Sequence, residues 1–276
     1  KGYYIIELLR RGVTRSNEFI NNVVKYPTLS TPFVTLKQDT TTGGATVVAE
    51  FAGRVWYSGF NGEVVDGDRR SPDLTNFAAF SQTVKSRQEF AKCYQAGDPT
   101  SRESADIVDT DGGFVRISGA SSIIGMVNME SHLLFLASNG IWAITGGSDY
   151  GFTPTNYKVT KISANGCISA SSIVSVGTTV IYWSEDGIYQ VGRDNTGNLS
   201  IASVTEKTIQ TYYEKIPITS KQNARGVYDS SSKRIRWLFK TGNIFTSNSV
   251  TKELILDTTL GSFYPSRIVN TPTYSA

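Results

Sequence analysis

The apolar positions of the chain fall into short runs broken by turns rich in Gly, Asn, Asp and Ser, and two of these runs repeat one another. Leu133-Leu-Phe-Leu-Ala-Ser-Asn-Gly140-Ile-Trp-Ala-Ile144 and Val180-Ile-Tyr-Trp-Ser-Glu-Asp-Gly187-Ile-Tyr-Gln-Val191 each read as a strand, a polar turn closed by glycine, and a second strand. Their glycines lie 47 residues apart, close to the roughly 40–50 residues of one four-stranded propeller blade. A hairpin turn after Asn or Asp calls for a residue that accepts positive φ, which explains a glycine at 140 and 187.

Each copy is preceded by one more apolar run, Ser122-Ile-Ile-Gly-Met-Val127 and Ser172-Ile-Val-Ser-Val-Gly177, so the repeating unit holds at least three strands. A weaker third copy is Val55-Trp-Tyr-Ser-Gly-Phe-Asn-Gly62, preceded by Ala45-Thr-Val-Val-Ala-Glu-Phe51. A divergent fourth is Arg225–Phe239 with Glu253–Tyr264, turning through Asp229-Ser-Ser-Ser-Lys-Arg234. The fold class expected is all-β: a β-propeller of repeated antiparallel blades over 45–276, with a long inserted loop region at 66–111. Residues 1–44 read as a connecting segment to a neighbouring domain; Glu7–Lys25 in it has a mixed helical and irregular look, with Ser16-Asn-Glu18 able to cap a short turn.

Composition supports this reading. In 276 residues, 39% hydrophobic and 11% aromatic, only two are Met, while Gly, Thr, Ser and Tyr abound, which suits short strands and turns. The net charge of +3 is too mild to argue for nucleic acid by itself. Cys93 and Cys167 are too few for a disulfide scaffold and lack metal-knuckle spacing, so two reduced thiols are expected. No apolar run approaches the roughly 20 residues that cross a bilayer, and no signal-peptide pattern opens the chain. It begins Lys1-Gly-Tyr-Tyr and stops at Ser275-Ala276, which reads as a piece of a longer polypeptide.

The most distinctive wording runs in order: Trp56-Tyr-Ser58; Ser71-Pro-Asp-Leu-Thr-Asn-Phe77; Tyr94-Gln-Ala-Gly-Asp-Pro-Thr-Ser-Arg-Glu-Ser-Ala-Asp-Ile-Val-Asp-Thr-Asp-Gly-Gly113; Leu134-Phe-Leu-Ala-Ser-Asn-Gly-Ile-Trp142; Gly151-Phe-Thr-Pro154. This order and spacing resembles the nozzle, or tail tubular, proteins of short-tailed bacteriophages, from about Ala45 to Tyr264. The resemblance implies a structural virion protein at the distal end of the tail, assembled in the host bacterial cytoplasm. It implies a homo-hexameric ring around a channel through which genomic DNA leaves, bound to a tail adaptor and to fibre or tip proteins, without stable membrane insertion. No catalytic residue, cofactor or metal belongs to the family pattern, so none is carried over. The 66–111 insertion is the expected contact or gating region, since long insertions between blade strands gather on one face.

A search for chemistry gives the same negative. The single histidine, His132, opens an apolar strand, where a lone histidine reads as a structural or surface residue, because general-base work needs a partner that orients it. No nucleophile elbow, Walker loop or His-Glu-x-x-His motif is present. Carboxylates cluster at Asp66, Asp68 and Asp73 and at Asp98, Glu103, Asp106, Asp109 and Asp111. An acid pair at a set distance would suit a glycosidase, but Asp beside Gly or Pro is ordinary turn chemistry. Asp109-Thr-Asp111-Gly could open a calcium loop, yet Gly113 and Ile117 stand where oxygen ligands are needed. Ser184-Glu-Asp-Gly187 has the wrong spacing for a sialidase Asp-box and reads as a hairpin. Trp56, Trp142, Trp183 and Trp237 are expected between blades rather than as sugar platforms. In Lys233-Arg-Ile-Arg-Trp-Leu-Phe-Lys240, Arg234 and Arg236 share one face and Ile235, Trp237 and Phe239 the other; these arginines are expected outside any lumen, or paired. The alternative to a non-enzymatic tail protein is a carbohydrate-binding or carbohydrate-cleaving β-propeller; a cellular WD or kelch scaffold stands third, its signatures being absent.

Overall fold

The computed structural model describes residues 45–60, 64–65, 68–69, 74–97, 107–147, 151–194, 196–241 and 250–267. Segment 1–44 lies outside them. The chain divides into two compact units, with the boundary after Lys161.

The first unit holds two four-stranded antiparallel sheets. In the first, β1 (Val47–Phe51), β2 (Arg54–Ser58), β5 (Phe77–Phe80) and β6 (Gly113–Arg116) lie side by side in that order, while β3 (Val64–Val65) and β4 (Asp68–Arg69) form a separate two-residue ladder. In the second, β7 (Ile123–Met129), β8 (His132–Ala137), β9 (Gly140–Gly146) and β10 (Tyr157–Ser163) form a meander. The first sheet corrects the sequence reading of 66–111 as one insertion. Phe77-Ala-Ala-Phe80 is its third strand, so two excursions, 59–76 and 81–112, leave and re-enter the sheet. Four residues, two of them alanine, carry too little strand signal to stand out from polar surroundings.

The second unit repeats the plan. β11 (Val174–Val176), β12 (Thr179–Trp183), β13 (Ile188–Arg193) and β14 (Leu199–Ser203) form one meander, and β15 (Arg225–Asp229), β16 (Arg234–Thr241), β17 (Val250–Asp257) and β18 (Ser262–Arg267) form the next. Between these sheets lie two short helices, α1 (Gln210–Glu214) and α2 (Ile218–Gln222). The two copies of the repeated sequence thus occupy the second and third strands of their sheets, β8–β9 and β12–β13.

Each unit packs its own two sheets face to face. In the first, Trp56 meets Phe80, Phe135 and Phe152 at ring distances of 5.0, 6.2 and 4.7 Å, with Ile123, Leu133, Trp142 and Ile144 around them. In the second, Trp183 and Trp237 sit 6.0 Å apart among Ile188, Phe239, Leu254 and Tyr213. All four tryptophans are buried, and truncating any one to alanine removes a side chain worth about 3–5 kcal/mol. They are not at equivalent positions: Trp56, Trp183 and Trp237 lie on second strands, Trp142 on a third.

The copies also turn opposite faces to their own cores. Leu133, Phe135 and Ala137 of β8 face the first core, whereas Ile181 and Trp183, which align with Leu134 and Leu136, face the second. Both faces of these strands are buried, since Leu133 through Ala137 and Val180 through Trp183 are all 3% exposed or less. That explains why their sequences are continuous apolar runs instead of alternating ones.

The two hairpin glycines have different causes. Gly140 has φ of 152°, in the region that favours glycine, as expected. Gly187 does not have such a φ; there a Cβ would come within 2.8 Å of Thr205 Oγ1, so contact rather than turn type keeps it small.

Candidate functional site

The excursion 81–112, the main part of the sequence-predicted contact region, is organised by a residue that sequence reasoning passed over. Arg54 opens β2 on the same face as Trp56, which commits its guanidinium to the interior of the first unit, where it is only 2% exposed. A buried cation needs partners, and here they are main-chain carbonyls. Arg54 donates to Ser81 O at 2.7 Å and to the carbonyls of Asp109 and Asp111. The rings of Phe80 and Phe152 lie 5.6 and 5.9 Å from its charge. Burial lowers the Arg54 pKa to about 10, against the opposing pull of Asp111 and Asp109. One cation thus ties the start of the excursion to its end.

The base of the excursion is cross-linked throughout. Gln82 N–H donates to Lys92 O at 2.9 Å and its side chain to Tyr94 O at 3.0 Å; Thr83 N–H donates to Thr110 O and Gly112 N–H to Tyr94 O. A Cβ on Gly112 would approach Lys92 O to 2.2 Å, so glycine is required where these chains meet. Tyr57 donates to Phe90 O at 2.8 Å, and Cys93 packs with Phe60 and Ala79 on the outer face of the first sheet. Burial raises the Tyr57 pKa to about 12 and pushes the Cys93 thiol up as well. Among the described residues, the 59–76 excursion contributes Phe60 and Leu74 to this apolar cover.

The acidic candidates separate accordingly. The Asp111 carboxylate accepts from Ala96 N–H at 2.8 Å and Val108 N–H at 3.0 Å, and that of Asp109 accepts from the Thr155 hydroxyl. Asp111 thus closes the main chain around itself, while Asp109 makes a tertiary contact to Thr155. Asp66, Asp73, Asp98, Glu103 and Asp106 lie outside the described residues, as does the side chain of Asp68. Among the described residues no group of three His, Cys, Asp or Glu side chains is placed to hold a metal ion. His132 lies 3.0 Å from Ser131 Oγ through Nδ1 at the start of β8.

In the second unit the hairpin tip Ser184–Gly187 is held just as closely. Ser184 O accepts from Tyr213, Glu185 O from Lys221 at 2.7 Å, Asp186 O from Gln210 at 2.7 Å, and Gly187 O from Ser184 N–H. Four successive carbonyls are satisfied, three of them by the α1–α2 segment. Lys221 is 5% exposed and lies 4.3 Å from the centre of the Tyr213 ring; burial lowers its pKa, and burial also lifts that of Tyr213 far above the usual phenol range. The Asp186 carboxylate accepts from Tyr189 and Asn165, while Glu185 points to solvent. Tyr189 is pushed up to about 12, first by burial and then by Asp186.

Arg234 and Arg236 lie on the outer face of the last sheet and both are paired. Arg236 bonds Glu253 at 2.6 Å, which raises the Arg236 pKa, and Arg234 bonds Asp257 at 3.3 Å. Ile235, Trp237 and Phe239 fill the opposite face, in the buried core.

No helix among the described residues is long and apolar enough to cross a membrane. The chain matches no protein-family model and no curated protein sequence.

Proposed function

We propose that this chain is a structural virion protein of a bacteriophage tail, its four sheets serving as blades of a β-propeller in a nozzle ring through which DNA is ejected. The observation that carries the reading is the recurrence of one four-stranded meander four times, with the repeated sequence on the second and third strands of two consecutive sheets. Blades of a propeller bury both faces of their central strands, as β8 and β12 do. The order of the wording from Trp56 to Pro154 resembles the nozzle proteins, and that resemblance supports the ring, the adaptor and the fibre partners.

The anchored excursion 81–112 supports a structural contact role. Its main-chain groups are spent on holding a fixed base, which suits a rigid presenting surface. The carbohydrate alternative loses its best candidates for stacking, because the four tryptophans are buried. DNA would pass without sequence readout, and the pairing of Arg234 and Arg236 leaves these two cations neutralised instead of gripping phosphate.

Native mass spectrometry of the purified chain, alone and with a tail adaptor, tests the proposal. A six-copy assembly is expected; a monomer under all conditions, adaptor included, refutes it. Replacing residues 98–106 by a short Gly-Ser link spares the carbonyl partners of Arg54 and is expected to leave the fold intact while abolishing assembly.

A further inference from the structure

The last strands of the four sheets, each at one end of its sheet among the described residues, differ in how they treat their open edges. An unpaired strand edge invites pairing with another chain unless charge, proline, shortness or a bulge prevents it. β10 carries Lys158 and Lys161, β18 carries Pro265, and β6 is four residues long and ends in Arg116. β14 uses none of these devices: Leu199-Ser-Ile-Ala-Ser203 has no charge and no proline, and it pairs with β13 without a register shift. Among the described residues it is the end strand of its sheet.

The ladder shows which groups of β14 are open. Asp194 N–H donates to Asn198 O at 2.8 Å and Val204 N–H to Ile188 O at 2.9 Å. In the same register Ser200 stands opposite Gly192 and Ala202 opposite Gln190, so by antiparallel alternation these residues bond across to β13. Leu199, Ile201 and Ser203 therefore aim their main-chain N–H and C=O groups away from it. Three donors and three acceptors line an edge on which the Ser200 and Ala202 side chains are exposed.

We propose that β14 is an interaction surface that pairs antiparallel with β14 of a second copy of this chain, about a two-fold axis at Ile201. Charge selects this occupant. Self-pairing sets Ser200 against Ala202 of the second copy and Leu199 against Ser203 of the second copy, so no like charges meet. The same arrangement at β10, about Thr160, would put the two copies' Lys161 side chains diagonally across one face of the pair. A neutral, unprotected edge calls for a neutral strand, and its own copy provides one with a matching pattern of donors and acceptors. The inference stands apart from the tail reading, since it concerns one strand edge and survives if no ring forms.

The test is register-specific cross-linking of the full chain. Ser200 and Ala202 of the second copy form a non-hydrogen-bonded pair, whose close Cα spacing suits a disulfide, and the native Cys93 and Cys167 are buried. Under mild oxidation, an equal mixture of Ser200→Cys and Ala202→Cys proteins should form covalent dimer about tenfold faster than either alone. Ile201→Pro removes an open-side N–H while leaving the ladder to β13 intact. Ser200→Lys gives β14 the protection that β10 has. Each should remain folded by circular dichroism and weaken dimerisation in sedimentation at least about tenfold. If the mixture cross-links no faster than the single variants, or if both folded edge variants associate like the unaltered chain, the proposal is overturned.

Discussion

Replacing Arg54 with methionine tests the anchor of the 81–112 excursion. Methionine reproduces the unbranched stem but brings no donor, so the carbonyls of Ser81, Asp109 and Asp111 lose their shared partner. An orphaned buried acceptor costs about 1–3 kcal/mol; Asp109 is exposed and water can reach it, which places the sum near the low end, about 3 kcal/mol. For a chain of this size each kcal/mol lowers Tm by roughly 2–4 °C, so a fall of about 6–12 °C is expected for the first unit. Urea unfolding, with limited proteolysis of residues 82–111 alongside, reads both consequences. The excursion should be cut many times faster in the variant, while Trp183 and Trp237 of the second unit keep their native fluorescence response. Arg54→Lys, a point charge without the planar fork, should fall between the two proteins. A methionine variant within about 1 kcal/mol of the unaltered protein and cut at the same rate would refute the anchoring role.

Three further outcomes follow from particular contacts. Ala52 and Gly53 link β1 to β2 with φ of 52° and 66°, as a type I′ hairpin requires, so Ala52→Asn should stabilise by about 0.5–1 kcal/mol in thermal unfolding. Burial lifts the Cys167 pKa to about 12 and raises that of Cys93 too. Raised folded values mean that these groups contribute stability below their unfolded pKa and that it is lost as pH climbs toward the folded one. The unfolding free energy from urea titration should hold near pH 7–8 and fall above about pH 9, by up to about 1.4 kcal/mol per pH unit per thiol; a flat profile to pH 11 would contradict the burial. Tyr213→Phe removes the donor to Ser184 O and should cost about 1–2 kcal/mol, with faster hydrogen exchange confined to residues 184–187.

The part of the fold legible in the sequence is the part where packing imposes a pattern. β8–β9 and β12–β13 repeat because their strands are buried on both faces, and the paired Arg234 and Arg236 alternate with Ile235, Trp237 and Phe239 because β16 is buried on one. β5 escaped notice because alanine fills its centre. β10 and β14 escaped because neither has a buried residue, so little apolar signal marks them. The α1 and α2 helices are five residues each, too short to display a 3.6-residue period. Arg54 was invisible as an anchor for another reason: its partners are main-chain carbonyls 27 to 57 residues away, and no side-chain pattern marks a carbonyl. The only trace is its place on the same strand face as Trp56. Asp109 and Asp111 drew attention as possible ligands for calcium, whereas the Asp111 carboxylate accepts from the Ala96 and Val108 N–H groups and that of Asp109 from the Thr155 hydroxyl.

The most direct test of the tail-nozzle reading is negative-stain electron microscopy of the purified protein with and without a phage tail adaptor. Rings or short tubes with a central channel and six-fold end views are expected. Dispersed particles that never close into rings, even with the adaptor present, would contradict it.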